Sequence, residues 1–342
     1  MNIKIFVLIF TLAIQGNSLV AAPKPANSPP KKVVIKMATL APVGSPWHEI
    51  LKEMAAEWAK ASDGQVTLRI YPGGVAGNEK DSIRKIRIGQ LHASLISNIG
   101  LSLIVPETNA LVIPLASDSW ESVDRVMEAL IPRLEKLMDK QGFVVLNWGN
   151  AGWIKFFVPT DNPSVEAVQK TKMFVTSGDD KTIELWKTAG FNAVPLAETD
   201  ILPALQTGMV NAYSATAVLA LASQWFAFTP YMIDLPMGPM VGATIVKKKT
   251  WQKIPENLRV KLREIADATG IRLRDEISVL EKEALAAMQE RGLKVIKPDE
   301  AQLRKWREVI ELTYPLMRGP VIPEKWFDDA LKAAKGEEAG DD

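Results

Sequence analysis

KVVIKMATLAPVGSPWHEILKEMAAEW, residues 32–58, reads as one strand–turn–helix unit. Lys32–Thr39 is a short run rich in valine, isoleucine and other apolar residues, the composition of a buried strand. Ser45 then offers a hydroxyl to the free amides of a first helical turn, and Pro46 suits the first helical position, where no N–H is needed. Beyond it Ile50, Leu51, Met54, Ala55 and Trp58 recur at three- and four-residue spacing, so one face of this helix must be buried.

The same alternation continues outward. Gln65–Tyr71 turns Val66, Leu68 and Ile70 to one side, the mark of a half-buried strand, and Pro72-Gly73-Gly74 ends it in a turn. A short helix with Ile83, Ile86 and Ile88 leads to a strand at Ala93–Ser97. Ser119–Gln141 is an amphipathic helix and Phe143–Trp148 a buried strand. A second unit pairs Lys172–Val175 with a helix at Asp180–Ala189, and a third pairs a helix at Asp200–Thr207 with a strand at Met209–Tyr213. Pro255–Arg291 carries one helical pattern, about 50 Å long at ~1.5 Å per residue, more than one small domain needs. A last helix is expected at Asp299–Tyr314. This order argues for an α/β protein with mainly parallel sheets.

Residues 5–14, IFVLIFTLAI, follow Lys4 and lead to Val20-Ala21-Ala22. A positive start, a short apolar stretch and small residues before a cut form the layout of a secretory signal, with cleavage expected after Ala22. The run is well short of the ~20 apolar residues that span a bilayer. Removing it takes away one lysine, so the 41 basic and 40 acidic residues become 40 and 40. A formally neutral chain argues against nucleic-acid binding through a bulk basic field. The sequence has no cysteine, which excludes disulfides, thiolate metal sites and cysteine nucleophiles together.

Catalytic motifs are missing. There is no GxSxG elbow, Walker A loop, HExxH or GxGxxG, so no catalytic residue, cofactor or metal is expected. Ser28-Pro29-Pro30-Lys31 matches SxxK only inside a proline-rich lead. The two histidines, His48 and His92, sit where structural roles suffice. Residues 71–77, YPGGVAG, could offer amides to an anion but read more simply as a turn, and Asp179-Asp180 as a helix cap.

Several runs together carry a family resemblance. Residues 38–47, ATLAPVGSPW, and 64–74, GQVTLRIYPGG, resemble the opening segments of the solute-binding proteins of tripartite ATP-independent periplasmic (TRAP) transporters, the dicarboxylate-binding-protein-like family. Ile88-Gly89-Gln90-Leu91, Ile113-Pro114-Leu115 (in part), residues 202–212, LPALQTGMVNA, and Lys253-Ile254-Pro255-Glu256 follow in the family's order. The resemblance implies a two-lobed periplasmic-binding-protein-like fold (type II) with the long helix bridging the lobes. The boundaries expected are a signal peptide at 1–22, a flexible lead at 23–32, one lobe from 33–150 plus about 241–290, the other from 151–240 plus about 291–330, and a disordered tail at 331–342. It also implies a periplasmic protein that passes a small organic ligand, an organic acid or one with an apolar or aromatic body, to the small and large membrane subunits of a TRAP transporter. A stand-alone exported ligand sensor or carrier on the same fold is the other reading left open.

The departures from the family pattern bear on the ligand. Relatives carry an arginine in a run like "K-I-R-V", whose planar fork holds the ligand carboxylate. Here the run is Lys172-Met173-Phe174-Val175, with Phe174 at the arginine position. Near Gly152-Trp153-Ile154-Lys155, where many relatives place another arginine, there is none. The residues then expected to face the ligand are Trp47, Trp153, Phe174, Tyr213 and Trp225, with Ser97, Asn98, Asn150 and Ser214 as neutral polar partners. A ligand with an apolar or aromatic body is favoured over a small dicarboxylate. Lys155 or Lys172 is the cation that could compensate.

Overall fold

The computed structural model describes residues 32–178 and 180–337. The signal sequence, the Ser28–Lys31 match, Asp179 and the last five residues lie outside the described residues.

Among the described residues the strands are β1 (Val33–Thr39), β2 (Val66–Tyr71), β3 (Ala93–Ser97), β4 (Phe143–Val158), β5 (Lys172–Thr176), β6 (Asn192–Leu196), β7 (Tyr213–Ala215), β8 (Tyr231–Lys247) and β9 (Lys294–Ile296). The main sheet runs β2-β1-β3-β8-β4-β7, with β9 paired to β8, while β5 and β6 form a second, parallel pair. The sheet is mixed rather than mainly parallel. β8 pairs antiparallel with both β3 and β4, and β7 antiparallel with β4.

The reason is the length of two strands. β4 has 16 residues and β8 has 17, where the sequence suggests only a short strand at Phe143–Trp148. Their first-lobe ends pair at Val144–Val246 and Val145–Ile245, beside β3, and their far ends at Phe156–Ile233 and Phe157–Met232, beside β7. The two strands therefore run through both lobes, and their pairing shifts register between Asn150 and Trp153. Val145, Val241 and Ile245 belong to one core, Phe156, Val158, Ile233 and Leu235 to another. The strand expected at Met209–Tyr213 is displaced: β7 begins at Tyr213, and only Ala212 bridges to Met173.

The long helix, Glu256–Glu290, has 35 residues. Leu262 and Ala266 pack with Leu51, Met54 and Trp58, whereas Leu273, Ile277, Ala284 and Met288 pack with Phe157, Tyr213 and Phe174. Its apolar stripe thus serves both lobes in turn. The helix Pro46–Ala61 starts as its residues dictate, with Ser45 Oγ accepting from the His48 amide at 3.4 Å. His48 Nδ1 in turn accepts from the Gly44 amide at 3.1 Å, and His92 Nδ1 from the Lys36 amide at 3.1 Å. Both histidines are thereby occupied in the framework.

The carboxyl terminus departs from expectation. Residues 331–335 are not a disordered tail but the end of a helix, Glu324–Lys335, with Ala333 and Ala334 buried. This helix packs on the helix Trp120–Lys140 of the first lobe, not on the second lobe. Ser122 Oγ donates to the Ala334 carbonyl at 2.9 Å, and Arg133 pairs with the buried Asp329 at 2.6 Å. A short repeat of Phe327, Ala330, Ala333 and Ala334 carries the signal, but alanines mark an apolar face weakly.

Gly242 sits where β3 and β8 approach closely. A Cβ there would lie 2.7 Å from the Ile96 carbonyl oxygen, a backbone atom that cannot swing away. Gly242→Ala should therefore cost about 1–3 kcal/mol, as overpacking against a fixed neighbour does. A thermal melt unchanged from wild type would show that β3 yields.

Candidate functional site

A cavity of about 410 Å³ lies between the lobes, where the two long strands cross and the middle of the long helix passes. The first lobe contributes Thr39–Pro42 at the end of β1, Trp47 and Ile50 from the first helix, and Leu95–Ser97 at the end of β3. The crossing strands contribute Asn147, Gly149–Ala151 and Met240–Gly242, and the long helix Thr269, Gly270 and Leu273. The second lobe adds Phe174 and Thr176 of β5, Glu198, Thr199, Ile201, Leu202, Ser214, Leu219, Ser223 and Trp225. Strand ends and the loops after them supply most of this wall, the usual placing of ligand sites in open α/β sheets.

The two lobes approach closely beside the cavity. Gly74 of the first lobe faces Thr199 of the second so closely that a Cβ on Gly74 would stand 3.0 Å from Thr199 Cγ2. The turn at Gly73-Gly74 is no anion cradle, because its amides are already used: Gly73 donates to the Ala41 carbonyl at 2.9 Å and Gly74 to that of Thr39 at 3.1 Å.

Of the residues expected at the ligand, Trp47, Ser97, Asn150, Phe174, Ser214 and Trp225 come together around this cavity. Asn98, Trp153 and Tyr213 do not line it. Asn98 starts the short helix Asn98–Ser102, between two residues that do line the wall. Trp153 lies past the register shift in β4 and packs on Trp120, ring centroids 4.8 Å apart, with its amide donating to Glu281 at 2.7 Å. Tyr213 is fully buried behind the wall, stacked on Phe157 at 5.0 Å and edge-on to Trp225 at 5.5 Å. Its burial pushes the phenol well above its ordinary pKa. Period-two alternation alone could not say which faces of β4 and β7 meet the cleft.

Neither candidate cation reaches the cavity. Lys155 Nζ is paired with Asp234 at 2.5 Å, and Lys172 is exposed, its Nζ on the Gly208 carbonyl at 2.9 Å. Among the described residues, no lysine, arginine or histidine lines the cavity.

Sequence reasoning missed the two ionisable groups that do line it, Glu79 and Glu198. Glu79 opens the helix Glu79–Arg87 and is 5% exposed. Its carboxylate accepts from the Ser97 amide at 2.7 Å, the Ser97 hydroxyl at 2.9 Å and the Gly100 amide at 2.7 Å. Burial nevertheless pushes its pKa up to about 7, and the charge of Glu198 acts in the same direction. Burial also raises Glu198, against hydrogen bonds from its own backbone and the Thr176 side chain. No local signal marks either residue, since each reads as an ordinary acid near a helix start.

The raised Glu79 value has a thermodynamic consequence. Between the unfolded carboxyl pKa of about 4.3 and the folded value, the native state keeps a proton that the unfolded chain releases. Stability that is fully present below the unfolded value should thus be lost as pH rises through about 7. The loss should amount to a few kcal/mol at most. Thermal melts from pH 5 to pH 8 check this: the decline should shrink in Glu79→Gln, and an equal decline in both proteins would assign it to other groups.

The family model described as bacterial extracellular solute-binding protein, family 7, matches residues 37–318. A solute-binding protein of Chromohalobacter salexigens is 25% identical over 236 residues, 66% of this chain and 68% of that one. The sialic acid-binding periplasmic protein of Vibrio cholerae is 20% identical over 288 residues, covering 82% and 87%. Among solved structures, the sugar acid binding protein of Advenella mimigardefordensis in complex with galactonate superposes with a TM-score of 0.84 at 18% identity, covering 90% of this chain and 99% of that one. A TRAP periplasmic solute-binding protein of Sulfurospirillum deleyianum with bound succinate gives 0.81 at 18% identity, covering 90% and 100%. These likenesses carry the two-lobed fold.

Proposed function

We infer the function from one premise: this chain belongs to the bacterial extracellular solute-binding proteins of family 7, whose solved members serve TRAP transporters. It captures a small organic ligand between its lobes, performs no chemistry on it, and delivers it to the small and large membrane subunits of a TRAP transporter. The signal sequence ending at Ala22 sends it to the periplasm. No helix among the described residues is long and apolar enough to cross a membrane.

The ligand carries a substantial apolar body. The observation that carries this reading is the wall: Trp47, Leu40, Ile50, Phe174, Leu219 and Trp225 surround the cavity, and no basic side chain does so among the described residues. The structures it resembles hold galactonate and succinate, polar carboxylates that a buried cation would suit. Here Phe174 stands at the position of the family's arginine run and contributes apolar area instead, at about 25 cal/mol per Å² removed from water.

The test is a thermal-shift titration on protein that has been partly unfolded and refolded to strip carried ligand. The panel pairs compounds with aromatic or long alkyl bodies against succinate and similar small dicarboxylates. A ligand at 100 times its Kd stabilises by about 2.7 kcal/mol, readily seen as a shift. Shifts with the apolar-bodied compounds and not with succinate are expected. Shifts with small dicarboxylates alone would overturn the reading of the wall.

A further inference from the structure

The ionisable groups of the cleft are all of one sign, one from each lobe. Glu79 comes from the first lobe and Glu198 from the second, and the charge of Glu198 makes ionising Glu79 costlier. Glu79 is occupied inside the protein by the three donors of Ser97 and Gly100. Glu198 is only half-buried and held by the Thr176 side chain and its own backbone, so its carboxylate keeps acceptor capacity toward the cavity.

A second, independent acceptor points the same way. Asn150 lines the cavity, is 3% exposed, and its Oδ1 is buried with no hydrogen-bond partner. A buried acceptor of this kind is satisfied by a donor that the ligand brings. The same wall presents the rings of Trp47, Phe174 and Trp225, and aromatic faces attract cations.

We infer that this cleft selects an organic cation, an amine whose apolar body lies against Phe174 and Trp225 and whose ammonium is taken by Glu198. The inference rests on the reading that the ligand occupies this cleft, and it names the ligand's polar end. A free carboxylate would lose its hydration, meet no cation and face the acidic Glu198. An ammonium placed between the lobes offsets the negative charge of Glu198.

The experiment uses three probes that share one body: 3-phenylpropylamine, 3-phenylpropanamide and 3-phenylpropanoate. Each is titrated calorimetrically, at pH 7 and low salt, into the stripped full chain, its Glu198→Gln variant and its Trp225→Ala variant. The amine should bind at least ~10-fold more tightly than the carboxylate, since like charges across an interface are strongly disfavoured. Glu198→Gln should remove that preference, and Trp225→Ala should weaken all three. Carboxylate binding equal to or tighter than the amine's would overturn the cation inference and leave the apolar-cleft reading standing. An amine preference that survives in a folded Glu198→Gln protein would overturn the assignment to Glu198. Failure of all three probes to bind, or indifference to Trp225→Ala, would sink the cleft reading itself and the inference with it. The preference measured on the unaltered chain decides the matter even if a variant fails to fold.

Discussion

Trp306→Ala is expected to destabilise the second lobe by about 3–5 kcal/mol, the range for removing a large buried aromatic ring. Trp306 comes from the helix Glu300–Glu311 and is completely buried. It stacks on Phe156 at 5.0 Å and lies 6.1 Å from Phe191, which in turn meets Trp186 edge-on at 5.1 Å. Its indole N–H also donates to the Pro163 carbonyl at 2.8 Å, so truncation leaves a cavity and an unpaired acceptor together. Phe156 lies on β4, one of the strands that both lobes share, so the damage should reach the first lobe as well. Urea unfolding followed by far-UV circular dichroism measures the loss. A change below about 1 kcal/mol would mean that the lobe repacks around the gap, as cores occasionally do.

Phe174→Ala should weaken an apolar-bodied ligand by about 10–100-fold, the equivalent of about 1.5–3 kcal/mol for one buried phenyl face. Phe174 is 8% exposed, lies on β5 with its amide donating to the Ala212 carbonyl at 2.8 Å, and packs beside Leu273 and Ile277 of the long helix. Its position is therefore set by the β5 backbone and the long helix. Isothermal titration with the compound giving the largest shift measures the change, at a temperature where the variant is fully folded. Unaltered affinity would place the ring in the core alone. Phe174→Arg is the converse probe: a guanidinium fork there should favour small dicarboxylates at the expense of the apolar compounds.

The strand–helix alternation is legible because its signals are local. Ser45-Pro46 caps the helix Pro46–Ala61 as the residues dictate, and Ala93–Ser97 and the 35-residue helix stand where periodicity puts them. The second half of β4 was not legible, because its partners Tyr231–Ile233 and Tyr213–Ala215 lie far along the chain. The helix Glu324–Lys335 was missed because three of its buried contacts are alanines. Trp153 and Tyr213 have the composition of a binding wall, yet one turns to Trp120 and the other to Phe157. Which way a strand residue faces depends on register, and register is a property of the pairing.

Residue order by itself determined that this chain is an α/β protein, that it holds together without disulfides and that it carries no familiar nucleophile, because periodicity, capping and composition are written within a turn or two of chain. It also determined that a phenylalanine occupies the arginine run of the family it belongs to. Only the tertiary structure decided what the cleft contains. Folding carries Lys155 to Asp234 and away from the cavity, and brings Glu79 and Glu198 into its wall. Those two acids are 119 positions apart in sequence and charge the same small volume. Their meeting depends on the long antiparallel pairing of β4 with β8, which no window of sequence contains.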